Sequence, residues 1–384
     1  MKINIALGFF LPVPPVAGGA TEKTWHLLSR EFAERGHEVT VLSRRWPGLP
    51  PSEVRDGVHH VRLRGSAHTS YLPRNLWRDF LWSLRVWRAL PPADITIVNS
   101  VSLPLWLGRF RHGAGRMVIM PGRMPKGQFR FYRRVDRVLA VSSVMRAAIV
   151  AENPRLADRI RISGYPINWR ELSQARPSPP ATMPVTVGYV GRLHREKGLE
   201  LMAAAVAKLS GFPSLPSWRV LLCGPADVAR GGSGHAFVAE LERRFASALP
   251  PGRFRVLDPV FSEQDLAAIY RGIDLFCYPS LAGRGETFGV AVAEAMAAGA
   301  VPVVSQLGCF ADFVRPDVTG VIFNHASPDA AERLAEALAD LLSDAPRRMR
   351  LAAAAQTAVK IYDYPEVARS MLADFSTLLP ADRR

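Results

Sequence analysis

The stretch Ala282-Gly283-Arg284-Gly285-Glu286-Thr287-Phe288-Gly289-Val290-Ala291-Val292-Ala293-Glu294-Ala295-Met296-Ala297-Ala298-Gly299 decides how this chain is read. It lies between two short apolar runs, Leu275–Tyr278 and Val301-Pro302-Val303-Val304, and its own pattern is helical from Gly289 to Ala298. That is the strand–helix–strand order of a parallel sheet. Ala291, Ala293, Ala295, Ala297 and Ala298 keep the helix thin enough to pack close to the sheet and to a ligand. Seven residues separate Glu286 from Glu294, which puts the two acids roughly 12 Å apart if the intervening helix rises as usual. Between them lies a helix N-terminus, whose N–H groups and positive dipole end suit a diphosphate. Glu294 stands alone in an apolar helix. An unpaired buried charge is costly, so it is a candidate site residue.

Working outward, the same alternation recurs along the chain. Lys2–Phe10 reads as a strand, Thr21–Arg35 as a helix ending at Gly36, and Glu38–Ser43 as a second strand, with Ile95–Val98, Met117–Met120 and Val138–Ser142 as further strands. A proline-rich segment interrupts the rhythm, which restarts with Val185–Val190, Arg219–Cys223 and Phe254–Leu257. The expected fold is α/β, two Rossmann-like doubly wound domains facing a central cleft. Residues 1–176 form the first, 177–184 a linker, 185–364 the second, and 365–384 a C-terminal helix that crosses back to the first domain. A chain of 384 residues suits two cores.

The formal net charge is +15, with 28 of the 49 Lys and Arg but only 12 of the 34 Asp and Glu in residues 1–180. The excess is therefore amino-terminal. It suggests an anionic partner: a membrane surface, a phosphorylated acceptor or nucleic acid. No helix-turn-helix, zinc-finger or RNA-recognition signature accompanies it, so nucleic acid is not the expected partner. Cys223, Cys277 and Cys309 are widely spaced without histidine partners, which points to a reducing compartment and to buried thiols rather than disulfides or zinc. The first twelve residues lack a small-x-small cleavage site, and no run of about 20 residues is apolar enough to span a bilayer. The expected location is cytoplasmic, peripheral on the inner face of the membrane.

Val190-Gly191-Arg192-Leu193-His194-Arg195-Glu196-Lys197-Gly198 follows the first strand of the second half. Arg192 can grip a diphosphate as a fork and Lys197 as a point charge. Gly18-Gly19, this motif, the Glu286/Glu294 pair, Pro302-Val303-Val304-Ser305 and Thr319-Gly320 occur in the order found in retaining family 4 glycosyltransferases of the GT-B fold. The chain resembles that family along nearly its whole length. The resemblance implies a transferase of the EC 2.4 class that moves a hexose or related sugar from a UDP- or GDP-sugar to a glycan or lipid-linked acceptor, in cell-surface polysaccharide or glycolipid biosynthesis. By it, Arg192 and Lys197 hold the diphosphate, Glu294 the ribose hydroxyls and Glu286 the transferred sugar. Gly191, Thr287, Phe288 and Gly289 complete the donor site, and Gly18, Gly19, Arg123 and Lys126 lie on the acceptor side. The roughly 12 Å between the acids is about the span from sugar to ribose in such a donor. No Asp-x-Asp occurs, so neither a metal nor any other cofactor is expected.

The chain departs from the family in two places. Many relatives have a histidine just after the strand that here reads Met117–Met120, and this chain continues Pro121-Gly122-Arg123-Met124-Pro125-Lys126; Asp312 stands where the common pattern has glutamate. On the acceptor side, Arg123, Lys126, Arg130, Arg133, Arg134 and Arg137 crowd with Phe129, Phe131 and Tyr132, suited to an acceptor phosphate or anionic head groups. From Leu76 to Leu90, the residues Leu76, Trp77, Phe80, Leu84 and Trp87 share a helical face expected to pack on the sheet. Trp82, among Arg78, Asp79 and Arg85, falls on the outer face. Two other readings remain: a GT-B enzyme that hydrolyses or epimerises a nucleotide-sugar, and a basic nucleic-acid-binding protein.

Overall fold

The computed structural model describes the chain except residues 111, 175–182, 210, 213–214, 261 and 381–384, and the side chains of residues 108, 110 and 112. The chain divides into one unit of Met1–Pro166 with Tyr364–Arg384 and another of Ile167–Asp363.

In the first unit eight strands, β1 (Lys2–Ala6), β2 (Glu38–Arg44), β3 (Ser52–Arg55), β4 (Val58–Leu63), β5 (Ile95–Val98), β6 (Arg116–Ile119), β7 (Arg137–Ala140) and β8 (Ile160–Ile162), lie in the order β3-β4-β2-β1-β5-β6-β7-β8. All neighbours are parallel except the β3–β4 hairpin. Strand order reverses between β1 and β5, both almost wholly buried. Helix α1 (Ala20–Glu34) buries Trp25, Leu28 and Phe32, spaced to fall on one face. The C-terminal helix (Tyr364–Thr377) packs on it through Phe375, whose ring lies 6.2 Å from that of Phe32. Its Asp374 takes the Arg137 guanidinium at 2.9 Å. Arg137 is therefore buried and does not belong to the basic surface that its sequence neighbours suggest.

Helix α2 (Leu72–Ala89) sits the other way round from its sequence pattern. Asn75, Asp79, Trp82, Ser83 and Val86 face inward, while Leu76, Trp77 and Phe80 are exposed. The inward polar groups are tolerated because each has a partner. Asn75 Oδ1 accepts from Thr69 N, Asp79 Oδ2 accepts from Ser102 N at 2.7 Å, and Trp82 Nε1 donates to Leu7 O at 2.8 Å. Trp82 is thus a core residue.

The second unit begins at Ile167, earlier than the expected 185. Ile167 N bonds Tyr362 O at 2.8 Å and Trp169 Nε1 bonds Gln356 O at 2.9 Å, which fixes the segment before the proline-rich stretch on this unit. Residues 177–182 of the expected linker lie outside the described residues. Strands β9 (Val185–Val190), β10 (Trp218–Cys223), β11 (Phe254–Leu257), β12 (Leu275–Tyr278), β13 (Val301–Ser305) and β14 (Val321–Phe323) form one sheet in the order β11-β10-β9-β12-β13-β14. Every pairing is parallel. Cys223, Cys277 and Cys309 are free and buried. Among the described residues no helix is long and apolar enough to cross a membrane.

One buried group sets an acid limit. His60 on β4 is buried with Nδ1 unpartnered, and burial, then Arg62 and His26, push its imidazole down to about 4, with Glu53 opposing and Arg55 adding to the fall. A lowered folded pKa means that the unfolded chain takes the proton first. Stability contributed by the neutral ring is complete above pH 6.5 and is lost as pH falls toward 4, by about 2–4 kcal/mol. His60→Phe should flatten the acid limb of denaturant midpoints across that window. An unchanged limb would remove His60 as its source.

Candidate active site

In an open parallel sheet, ligands bind beyond the carboxyl ends of the strands where strand order reverses. In the second unit that point lies between β9 and β12, and the loops leaving these strands bring Lys197 and Glu286 together. Gly198, at φ +70, lets the first loop cross the end of β12: a Cβ there would lie 1.9 Å from Pro279 O. Leu281 N donates to Glu196 O at 2.8 Å and ties the loops. Lys197 Nζ then lies 2.8 Å from Glu286 Oε2 and 5.5 Å over the Tyr278 ring, the two side chains being 7% and 11% exposed. Tyr278 OH and Ser280 Oγ donate to the same carboxylate oxygen at 3.2 and 3.4 Å. Tyr278 stacks on Tyr189, whose hydroxyl donates to Arg192 O at 2.8 Å. Burial, then the Glu286 charge, holds both phenols well above their usual range, so they remain neutral donors. The result is a cation and an anion fixed by an aromatic floor, with the remaining carboxylate oxygen of Glu286 unused by these bonds.

Helix α9 (Val290–Ala297) starts immediately beyond. Gly289 caps it at φ +93 against Phe310, where a Cβ would fall 2.4 Å from the ring. Phe288 is buried, with Phe313 and Tyr362 each 5.0 Å away, and Thr287 is half-buried. The first N–H groups of α9 have no intrahelical acceptors. One turn further on, Glu294 is half-buried and accepts from Tyr270 OH at 2.9 Å. It is therefore not the unpartnered charge that its apolar helix suggests. Tyr270 comes from the helix Glu263–Arg271 and is itself fully buried.

Arg192 points elsewhere. Its guanidinium bonds Glu196 Oε1 at 2.8 Å and Gly231 O at 3.0 Å, and the side chain is exposed, so little holds it there. Gly191 is half-buried at the end of β9. A cavity of about 500 Å³ opens at the carboxyl ends of β9, β10 and β11, lined among others by Leu193, Gly224, Arg230, Leu257 and Asp258. Leu193 and Arg230 of this lining are the chain neighbours of Arg192 and of its Gly231 contact.

The remaining candidates lie in the first unit. Gly18 and Gly19 lead into α1, and Arg123 and Lys126 are exposed on the loop after β6. That loop holds Pro121 and Gly122 where a histidine is common, and Gly122 lies against Thr21. Next to it is Glu22, buried beside Gly19, whose carboxyl is raised by burial. Glu22 went unnoticed in the sequence, as did Tyr189, Tyr270, Tyr278 and Ser280. The tyrosines carried a signal: a hydroxyl inside an apolar strand or helix needs a buried partner. Among the described residues no cluster of three or more His, Cys, Asp or Glu is gathered as for a metal ion.

Two family models match this chain, "Glycosyl transferases group 1" over residues 173–358 and "Glycosyltransferase Family 4" over residues 17–163. The chain is similar to a lipopolysaccharide core biosynthesis mannosyltransferase of Rhizobium meliloti, 29% identical with 90% of each chain covered. It is similar also to a GDP-mannose-dependent alpha-mannosyltransferase of Mycobacterium tuberculosis, 26% identical over 98% of this chain and 97% of that one. Among solved structures, sucrose-phosphate synthase from Thermosynechococcus elongatus superposes with a TM-score of 0.74 at 19% identity, covering 98% and 99% of the two chains.

Proposed function

Because this chain belongs to the group 1 and family 4 glycosyltransferases of the GT-B fold, we propose that it transfers a hexose, with retention, from a nucleoside-diphosphate sugar to a glycan or lipid-linked acceptor. The observation that carries this reading is the Lys197–Glu286 pair, held at the β9/β12 reversal next to the start of α9. A cation and a helix N-terminus converge where a diphosphate can lie. Glu286, with an oxygen to spare, can take sugar hydroxyls. Glu294 faces the ribose, backed by Tyr270, and Arg192 swings from Glu196 onto the diphosphate. The neighbouring cavity, about 500 Å³, is of a size to receive a nucleoside.

In the reaction, the bond from the anomeric carbon to the β-phosphate oxygen breaks while that carbon bonds to the acceptor oxygen on the same face. The acceptor proton passes to the departing phosphate oxygen, so the products are the glycoside and the nucleoside diphosphate. Lys197, Arg192 and the α9 dipole neutralise the charge that develops on the leaving group, and the reaction needs no metal. UDP and GDP are the proposed leaving groups; the GDP-mannose dependence of one full-length relative favours including GDP-mannose in any screen. The product belongs to a cell-surface polysaccharide or glycolipid, made on the inner face of the membrane.

Thermal stabilisation by a panel of nucleotide-sugars, followed by turnover and the anomeric configuration of the product with and without chelator, tests the reading. Glu294→Ala should retain the fold and raise the KM for the matching donor roughly tenfold or more, the loss of hydrogen bonds to one hydroxyl pair. A matching donor whose KM is untouched in Glu294→Ala, or a product of inverted configuration, would overturn these assignments.

A further inference from the structure

The outer apolar arc of helix α2 is only partly covered inside the first unit: near its C-terminal end Trp87 packs on Trp106 at 5.6 Å, while Leu72, Leu76, Trp77 and Phe80 stay exposed. At 100° per residue, Leu72, Leu76, Phe80, Leu84 and Trp77 fall in an outer arc of about 140°. Leu72 is 64% and Trp77 60% exposed, and the Trp77 and Phe80 rings stack at 5.7 Å. A solvated helix gains nothing from presenting such side chains to water. Along one border of the arc run Arg88 and Arg74, both exposed. Arg85 and Arg78 follow, with guanidinium groups anchored on Arg64 O and Ala67 O. The helix has a single carboxylate, Asp79, which is buried and receives Ser102 N. Its outer face therefore carries positive charge only.

We propose that this face is a membrane-docking surface: α2 lies in the plane of an anionic leaflet, with Trp77, Phe80 and Leu76 inserted at the headgroup boundary and Arg74 and Arg88 on lipid phosphates. An aromatic–aliphatic arc bordered by arginines is the composition of an in-plane interfacial helix. The amino-terminal excess of positive charge favours the same occupant. A second copy of this chain fits less well, because a two-fold contact through the face would bring the arginine rows together. The proposal deepens the membrane-side reading above and rests on it.

Flotation of the full chain with vesicles of phosphatidylglycerol and phosphatidylcholine, against phosphatidylcholine alone, tests it. The wild-type chain should float with the anionic vesicles and be released by salt. Trp77→Glu with Phe80→Glu should lower the bound fraction about tenfold or more with unchanged melting, since both side chains are exposed. Arg74→Glu with Arg88→Glu should abolish the preference for anionic vesicles. A wild-type chain that stays at the bottom, a double Glu variant that floats as before, loss of binding only on Arg123→Glu with Lys126→Glu, or a concentration-dependent dimer dissolved by the double Glu variant would each overturn it. Stabilisation of the same proteins by nucleoside diphosphate reports the donor site separately. A chain that binds nucleotide but not vesicles loses the docking surface and keeps the transferase reading.

Discussion

Lys197→Met is expected to lose sugar transfer by roughly a hundred- to a thousandfold, the usual consequence of removing one preorganised electrostatic contact to a leaving group. It should also destabilise the second unit by about 3–5 kcal/mol, because Glu286 would then be left mostly buried without its cation. The two losses have different remedies. Adding Glu286→Leu removes the orphaned charge, so the double variant should recover most of the stability while transfer stays lost. Denaturant unfolding and turnover measured on the single and double variants separate the roles. Transfer restored together with stability would reduce the pair to a structural tie and leave the proposed site without its centre. Glu286→Gln keeps an amide oxygen that can still accept from Tyr278 and Ser280, but it leaves Lys197 mostly buried without its anion. It should therefore lose stability as well, by a few kcal/mol at about the scale of Lys197→Met, and turn over poorly.

The second large effect lies in the first unit and concerns stability. Arg62 on β4 is fully buried, and its guanidinium donates to Val13 O through Nε and Nη2 at 3.1 and 2.9 Å, to Pro50 O at 2.7 Å and to Glu53 at 2.5 Å. One side chain thus fastens the loop after β1 and the approach to β3 to the sheet. Arg62→Met should cost about 2–5 kcal/mol by leaving the carbonyls of Val13 and Pro50 unsatisfied. Arg62→Lys should recover little, because a single ammonium on a flexible stem cannot reproduce the fork. Calorimetry that resolves the two units should show the first unit's transition falling and the second unit's unmoved. A loss below about 1 kcal/mol would mean that water replaces these bonds.

The carboxyl-terminal part of the candidate site was legible in sequence because its parts are local. A strand, a glycine-capped turn and a helix succeed one another between Leu275 and Ala297, so Glu286 and the start of α9 are neighbours in the chain before they are neighbours in space. Lys197 is 89 residues from Glu286, and motif order suggested that the two share a ligand without suggesting that they touch. The contact depends on Gly198 passing Pro279, a clearance that no periodicity encodes. Glu294 was singled out for a reason that the structure removes. It looked unpartnered because Tyr270 lies on another helix, 24 residues away.

Helix α2 shows the same division more sharply. Its apolar spacing marks a helix but points to the wrong face; the inward face carries Asn75, Asp79 and Ser83 beside Trp82 and Val86, and it was chosen by Ser102 N, Thr69 N and Leu7 O, which hydrogen-bond Asp79, Asn75 and Trp82. The sequence by itself determined the alternating parallel fold, the likeness to the family and the residues proposed to meet the donor, since these follow from short-range pattern and motif order. The tertiary structure alone decided which of those residues are paired, which arginines are buried and which aromatic face is left outward, because partners for buried polar groups are supplied by distant segments.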